Sequence, residues 1–254
     1  MKLDCILTAV NDEDVYLGFI PIFIKTWNKL YPNVDVKIVL ISTKIPENLI
    51  IYKNNIILFE PIKNILTSFT AQFIRLLYPC ILNYKNGVMI TDMDMLPMNR
   101  TYYTNNIIEH DDNKFIYYRK LALGGQSQIA MCYNIATPST WKDIFKIDTV
   151  QDIKNKLIDM ADKNNIKPGF RYSSWSLDQR FLYTELTNWN KATNNFICLT
   201  DRNTKFKRLC RSHKFDINNI TIRNNIADGK YTDYHCLRPM RVYSKINWEI
   251  YNLL

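Results

Sequence analysis

The sequence of 254 residues predicts an α/β fold in which a mostly parallel sheet is flanked by helices within a single domain. Short apolar runs alternate with amphipathic segments through the first hundred residues, and this order is typical of such a sheet. The composition, with 47% hydrophobic and 22% charged residues, is that of an ordinary globular protein. A chain of this length can bury a sizeable core, so we expect it to fold without a disulfide or a structural metal.

Four short apolar runs in the first half predict buried strands, because each is bounded by polar or turn-forming residues. They cover residues 3–10, 34–42, 56–59 and 87–90. The carboxyl ends of parallel strands meet at one edge of a sheet, where α/β proteins bind their ligands. The residues that follow the first and the fourth strand are therefore candidates for a binding site.

Two helices are predicted between these strands. Residues 14–30 carry apolar side chains near helical spacing, with Asp14 as the predicted N-cap and Pro21 as a kink or the true start of the helix. Residues 67–83 form a second amphipathic pattern, in which Pro79 should bend the last turn.

The second half of the chain is less regular. It contains two predicted strands, three predicted helices and one basic stretch without a clear period. In chain order these are the strands 114–118 and 128–133, the helices 138–146, 149–163 and 177–186, and the basic stretch 201–214.

The net charge and the cysteines limit the kinds of partner and the compartment that we expect. A formal net charge of +9 favours anionic partners such as phosphates, nucleic acid or acidic lipid. The six cysteines are scattered without a Cys-x-x-Cys pair, which argues against a zinc site and favours a reducing compartment. The N-terminal apolar run is short and contains Asp4, and no other segment is long enough to span a membrane. We therefore expect a cytoplasmic protein that can contact a membrane only at its surface.

The acidic pair Asp92 and Asp94 follows the fourth predicted strand. In an extended chain, residues i and i+2 point to the same side, about 7 Å apart. Hard carboxylate oxygens in this arrangement suit Mn²⁺ or Mg²⁺. A second pair with the same spacing, Asp12 and Asp14, lies in a polar loop before a helix, where we expect it to favour the helix N-terminus instead.

Two segments carry a resemblance to a known family. The run FIRLLYP at residues 73–79, followed by NGVMITDMDML at residues 86–96, resembles the signature of GT-A-fold glycosyltransferases. It is most similar to the family-eight group, which includes glycogenin and the bacterial galactosyltransferases. The resemblance implies a GT-A-type, Rossmann-like sheet in a single catalytic domain, 1–254. It is good over a nucleotide-binding half, 1–100, and patchy over an acceptor-side half, 101–254.

The resemblance also implies roles for single residues in the first half. Arg75 would contact the donor diphosphate or sugar, Asp92 the ribose and the metal, and Asp94 the metal directly. The remaining donor-binding residues would be Thr8, Ala9, Val10, Asn11 and Met93.

In the second half, the segment LGGQSQIAMCYN at residues 123–134 resembles the part of these enzymes that holds the donor sugar. Gly124 and Gly125 would allow the backbone to approach the sugar closely. The run WSLDQRFL at residues 175–182 resembles the Asp-Gln element of the family. Asp178 and Gln179 would then bind hydroxyls of the donor or the acceptor, and with Arg75 they are the predicted catalytic residues.

The third metal ligand is predicted near the C-terminus. The run YHCLRP at residues 234–239 is a shortened version of the family pattern, in which a His ligand precedes a Lys-Pro pair that touches phosphate. The resemblance implies that His235 binds the metal and that Arg238, in place of the Lys, binds the diphosphate. The spacing departs from the family pattern, and His213 is the rival ligand.

The resulting hypothesis is an Mn²⁺- or Mg²⁺-dependent glycosyltransferase. It would move a sugar from a nucleotide-diphosphate donor, with a UDP-sugar favoured, to a hydroxyl of a glycan, protein or lipid acceptor, with retention of configuration. One alternative is a sugar nucleotidyltransferase, but the loop Asn11–Asp14 is acidic where those enzymes carry a Gly-rich basic loop. The other is a non-catalytic nucleic-acid-binding module built on residues 202–214, which has little aromatic interleaving. We expect no nucleic-acid partner.

Overall fold

The computed structural model describes residues 1–120, 122–123, 127–166, 176–213 and 215–254. The strands, in chain order, are β1 Leu3–Asn11, β2 Asp35–Ile41, β3 Ile56–Phe59, β4 Gly87–Ile90, β5 Met95–Pro97, β6 Phe115–Lys120, β7 Asn134–Ala136, β8 Phe196–Thr200, β9 Arg208–Cys210 and β10 Asp233–His235. The helices are α1 Asp14–Leu17, α2 Ile20–Leu30, α3 Thr67–Leu77, α4 Tyr102–Asn105, α5 Pro138–Phe145, α6 Val150–Lys163, α7 Leu177–Thr193, α8 Asp201–Thr204, α9 Ile220–Ala227 and α10 Met240–Leu253.

Two sheets organise these elements within the described part of the chain. The larger has the strand order β3-β2-β1-β4-β7-β6-β8. Strand β7 is antiparallel to both of its neighbours, and the other pairs are parallel. The smaller has the order β5-β10-β9, with β10 antiparallel to β5 and parallel to β9. The sequence prediction of a mixed, mostly parallel sheet flanked by helices is confirmed.

The large sheet is covered on both faces, which explains why its strands are apolar almost without interruption. In β1, Cys5 and Leu7 pack into one buried cluster, while Ile6 and Val10 pack into the other. Successive side chains of a strand point to opposite faces, so the two alternating sets of side chains pack against different layers of helices.

The segment predicted as one helix over residues 14–30 forms two. Helix α1 ends at Leu17, and α2 begins at Ile20 with Pro21 in its first turn, where proline needs no backbone partner. The prediction of Asp14 as the N-cap is wrong, because Glu13 holds that position and Asp14 is the first helical residue.

The strand predicted over residues 128–133 is also wrong, and the short strand β7 follows that segment instead. The side chain of Asn134 donates hydrogen bonds to the carbonyls of Ala130 and Met131, at 2.8 and 3.1 Å. The Ala130 amide donates to the Tyr117 hydroxyl at 3.1 Å. These side chains satisfy backbone groups that a strand would pair with its neighbour.

Within the described residues, no helix is both long enough and apolar enough to cross a lipid bilayer.

The close packing at Gly87, where β4 begins, gives a test of the fold. A Cβ added there would lie 2.5 Å from Ile135 Cδ1 and 2.9 Å from the Lys2 carbonyl oxygen. We expect Gly87→Ala to lower the free energy of unfolding by about 1–3 kcal/mol, since an overpacked site must shift its neighbours. Urea unfolding measures this. Asn105→Ala, at an exposed position, is the control and should change stability by less than about 0.5 kcal/mol. An unchanged midpoint for Gly87→Ala would contradict this packing.

Candidate functional site

The acidic pair lies at the carboxyl edge of the large sheet, as predicted, but its backbone turns. After β4, the Thr91 amide still donates to the Leu7 carbonyl at 3.2 Å. The Met95 amide then donates to the Asp92 carbonyl at 3.2 Å and closes a turn over the pair. The assumption of an extended chain is therefore wrong, and the two carboxylates meet different partners.

Asp94 is 4% exposed and lies in a cluster of cationic groups. Its Oδ2 atom is 2.5 Å from Arg211 Nη1, 3.6 Å from His235 Nε2 and 3.9 Å from Arg238 Nη1. Burial alone would raise the pKa of this carboxyl. The nearby His235 imidazole and the hydrogen bond from Arg211 outweigh burial and lower the pKa of Asp94 to about 2. Asp94 is therefore ionised at neutral pH.

Strand pairing delivers His235 to this carboxylate. Strands β5 and β10 pair antiparallel with His235 opposite Met95, and the Cys236 amide donates to the Asp94 carbonyl at 2.9 Å. On the other side of the imidazole, His235 Nδ1 lies 3.5 Å from the Cys210 sulfur. The rival ligand His213 is exposed.

Asp92 is joined to Asp178 through Arg75, which extends from α3. One guanidinium nitrogen, Nη1, contacts Asp92 Oδ1, and the other, Nη2, is 2.8 Å from Asp178 Oδ2. Burial would lower the pKa of Arg75, but both carboxylates outweigh it and raise the pKa. The Gln72 amide and the Gln179 backbone N–H donate to Asp178 Oδ1 at 2.9 and 2.8 Å. The predicted catalytic residues Asp178, Gln179 and Arg75 thus form one network with Asp92.

Asp178 itself is 1% exposed, and burial raises the pKa of its carboxyl against the opposing effect of Arg75. Within the described part of the chain, its hydrogen bonds run to protein groups on α3 and α7. In this arrangement Asp178 holds Arg75 in place.

The predicted donor-binding residues of β1 lie at the end of that strand. Thr8 and Val10 are buried, Ala9 is half-buried, and the buried Asn11 donates to the Thr67 hydroxyl at 3.1 Å. The Val10 side chain packs into the core, so the strand can offer a ligand only the backbone at this residue.

Of the other predicted donor-binding residues, Met93 is buried in the same core cluster. Gly124 and Gly125 lie outside the described residues. Arg238 joins the cluster around Asp94, and its guanidinium contacts the Tyr16 hydroxyl of α1.

Sequence reasoning missed Arg211 and Cys210 as site residues, because it placed both in an unpatterned basic stretch. In the structure Cys210 ends β9, directly opposite His235 of β10. This pairing joins residues 25 positions apart, and no short-range periodicity signals it. The basic stretch is also not a plain solvated surface, since Arg208 and Arg211 bind the buried Asp233 and Asp94.

Asp94 and His235 offer a carboxylate oxygen and an imidazole nitrogen that face one another, which suits Mn²⁺ chemically. Asp92, the third predicted ligand, lies against Arg75 instead. Among the described residues, no group of three or more His, Cys, Asp or Glu side chains is arranged to hold a metal ion. Asp94 and His235 are thus the two predicted ligands that lie together, and an ion bound there would need further ligands from outside this pair.

No protein-family model and no curated protein sequence matches the chain. Solved structures do. The glycosyltransferase GlyE of Streptococcus pneumoniae TIGR4 aligns with 99% of this chain at a TM-score of 0.52 and 16% sequence identity. This chain spans 60% of the GlyE chain. The galactosyltransferase LgtC, solved with donor and acceptor sugar analogs, aligns with 98% of this chain at a TM-score of 0.51 and 12% identity, over 96% of its own length. The chain therefore has the GT-A fold of these glycosyltransferases.

The network around Arg75 makes a prediction about stability. Arg75→Met should lower the free energy of unfolding by about 3–5 kcal/mol, because it leaves the Asp178 carboxylate buried without its cation. The double variant Arg75→Met with Asp178→Asn should recover part of that loss, since a neutral amide can keep the bond to Gln72. Denaturant unfolding of both variants measures the difference. Equal stability of the single and the double variant would show that the loss does not come from an unpaired charge.

Proposed function

We propose that this protein is a glycosyltransferase that moves a sugar from a nucleotide-diphosphate donor, a UDP-sugar by preference, to an acceptor hydroxyl. The acceptor would be a glycan, a protein or a lipid. The observation that supports the proposal most is the buried, ionised Asp94, which faces His235 at the ligand-binding edge of a GT-A fold. Mn²⁺ or Mg²⁺ bound at this pair would neutralise the charge that develops on the leaving diphosphate.

The positive charge around Asp94 supports binding of the donor phosphates. The Arg238 side chain is 35% exposed and lies on the rim of the cluster, so its guanidinium can reach a ligand. A guanidinium matches the geometry of phosphate oxygens and can bind them through two hydrogen bonds. Because Arg238 is already in place before the reaction, its charge stabilises the leaving group without reorganisation.

The network behind the edge would position the reacting groups. Asp178 holds Arg75, and Arg75 holds Asp92, which we assign to the donor ribose. The reaction depends on keeping the acceptor hydroxyl close to the anomeric carbon, so fixed geometry supplies much of the rate. We assign Gln179, beside Asp178, to hydroxyls of donor or acceptor. We propose retention of configuration on the resemblance to the family-eight group.

A panel of nucleotide sugars tests the proposal. Melting temperature and donor hydrolysis are measured with UDP-, GDP- and TDP-sugars, with and without Mn²⁺. We expect stabilisation and slow hydrolysis with UDP-sugars, dependent on Mn²⁺, and loss of both in Asp94→Asn. Absence of stabilisation by any nucleotide sugar would count against the proposal. A salt-sensitive shift with oligonucleotides in its place would favour a nucleic-acid-binding module.

The assignment of Arg238 to the diphosphate has its own test. We expect Arg238→Gln to raise the KM for the donor about 10- to 100-fold, as for the loss of a hydrogen bond to a charged group. Arg223→Gln is the matched control, because Arg223 is equally exposed and pairs with Glu249 on the C-terminal helices. Steady-state kinetics at saturating Mn²⁺ should leave the control unchanged. Equal effects of the two substitutions would remove Arg238 from the donor site.

A further inference from the structure

Arg211 and His235 both approach the same oxygen atom of Asp94. Arg211 Nη1 lies 2.5 Å from Oδ2, and His235 Nε2 approaches the same oxygen at 3.6 Å. An ion shared by Asp94 and His235 would bind this oxygen on the side that faces the imidazole. A divalent ion and the guanidinium would then both lie within a few ångströms of one atom and repel each other strongly.

The position of Arg211 is built into the fold. The Arg211 amide donates to the His235 carbonyl at 3.1 Å, continuing the β9–β10 pairing beyond Cys210. Its Nη1 atom also donates to the Cys236 carbonyl at 3.0 Å. The side chain is 19% exposed and extends along the same strand that delivers the imidazole. The guanidinium is thus directed at Asp94 by backbone pairing and has a second acceptor next to it.

The charges of the cluster are already balanced by protein groups. The carboxylates of Asp92, Asp94 and Asp178 are matched by three guanidiniums, those of Arg75, Arg211 and Arg238. A doubly charged cation at Asp94 adds positive charge beside these guanidiniums, so the nearest of them opposes its binding. Among them Arg211 lies nearest to Asp94 Oδ2, at 2.5 Å against 3.9 Å for Arg238, so Arg211 occupies this oxygen most directly.

We propose that Arg211 is a built-in counter-ion that competes with the divalent cation for Asp94. The cation binds only when the guanidinium withdraws from Oδ2. This rests on the proposed function in one respect, namely that the cation binds at Asp94 and His235. The device has a physical reason, because a carboxylate that is 4% exposed is costly without a positive partner, and Arg211 supplies one before the cation arrives.

If Arg211 instead oriented Asp94 for the metal, its removal would have the opposite effect on metal affinity. Residues that hydrogen-bond to a metal ligand often orient it, and their removal weakens metal binding about 10- to 100-fold. Removal of a competitor strengthens metal binding instead. The affinity of the protein for the metal alone therefore separates the two roles without any reference to turnover.

The experiment measures Mn²⁺ affinity by isothermal titration calorimetry and by electron paramagnetic resonance of free Mn²⁺, in wild-type protein and in Arg211→Gln. We expect Arg211→Gln to bind Mn²⁺ at least tenfold more tightly and to show a larger Mn²⁺-induced rise in melting temperature. Arg223→Gln removes one positive charge from a half-exposed pair between α9 and α10 and should leave the affinity unchanged. Asp94→Asn in the Arg211→Gln background should abolish the gain.

Each other outcome overturns the inference. Equal Mn²⁺ affinity of wild-type protein and Arg211→Gln would remove Arg211 as a competitor and leave the proposed metal site intact. Weaker binding would make Arg211 an orienting residue. Failure of both proteins to bind Mn²⁺ would overturn the competition together with the metal site. If Arg211→Gln does not fold, Arg211→Lys keeps the charge but shortens the side chain, and it should bind Mn²⁺ more tightly than wild-type protein.

Discussion

Among the described residues, three aspartates that are almost fully buried each need a positive partner, and this need fixes the elements around the candidate site. An unpaired carboxylate at such depth would cost several kcal/mol, so each is matched by an arginine from a distant segment of the chain. The pairs are Asp94 with Arg211, Asp178 with Arg75, and Asp233 with Arg208. Each pair ties two elements of the fold to one another, and two of them lie in the candidate site.

The Asp233–Arg208 pair fixes the two strands that carry His235 and Cys210. Arg208 binds Asp233 through two nitrogens, and the Tyr133 hydroxyl donates to the same carboxylate at 2.7 Å. Asp233 begins β10 and Arg208 begins β9, so this buried pair sets the two strands side by side. The same pairing, two residues further along both strands, brings Cys210 opposite His235. The geometry around Asp94 thus depends on a contact that takes no part in the proposed chemistry.

The fold and part of the site could be predicted from the sequence because their signals are local. Strands β1 to β4 are apolar runs bounded by polar residues, and Asp92 and Asp94 follow one of them directly. Arg75 belongs to a short motif on α3 that resembles the glycosyltransferase signature, and the structure places it against Asp92. Local patterns fail where a side chain replaces the expected backbone pairing. The side chain of Asn134, at the start of β7, does so for the carbonyls of Ala130 and Met131.

The part that escaped prediction depends on pairing between distant strands. Arg211 carries the same charge as the exposed cations of its stretch, and only the register of β9 on β10 shows that it points inward. The same limit applies to the turn at Met93 and Asp94, which separates two carboxylates that an extended chain would place together. Residue type alone predicts a cation site, and long-range register decides which groups surround Asp94.

Part of the positive charge behind the net value of +9 lies on arginines that are paired with aspartates at the edge of the sheet. Arginine can remain charged when partly buried, and its planar fork matches carboxylates and phosphates alike. A guanidinium that binds an aspartate at the edge of the sheet can therefore exchange that partner for a phosphate oxygen at little geometric cost. Buried ion pairs of this kind contribute little to stability compared with apolar packing. Their concentration at the carboxyl edge, next to Asp92 and Asp94, would suit the proposed phosphate-bearing donor, because each guanidinium that pairs with an aspartate there also matches phosphate oxygens.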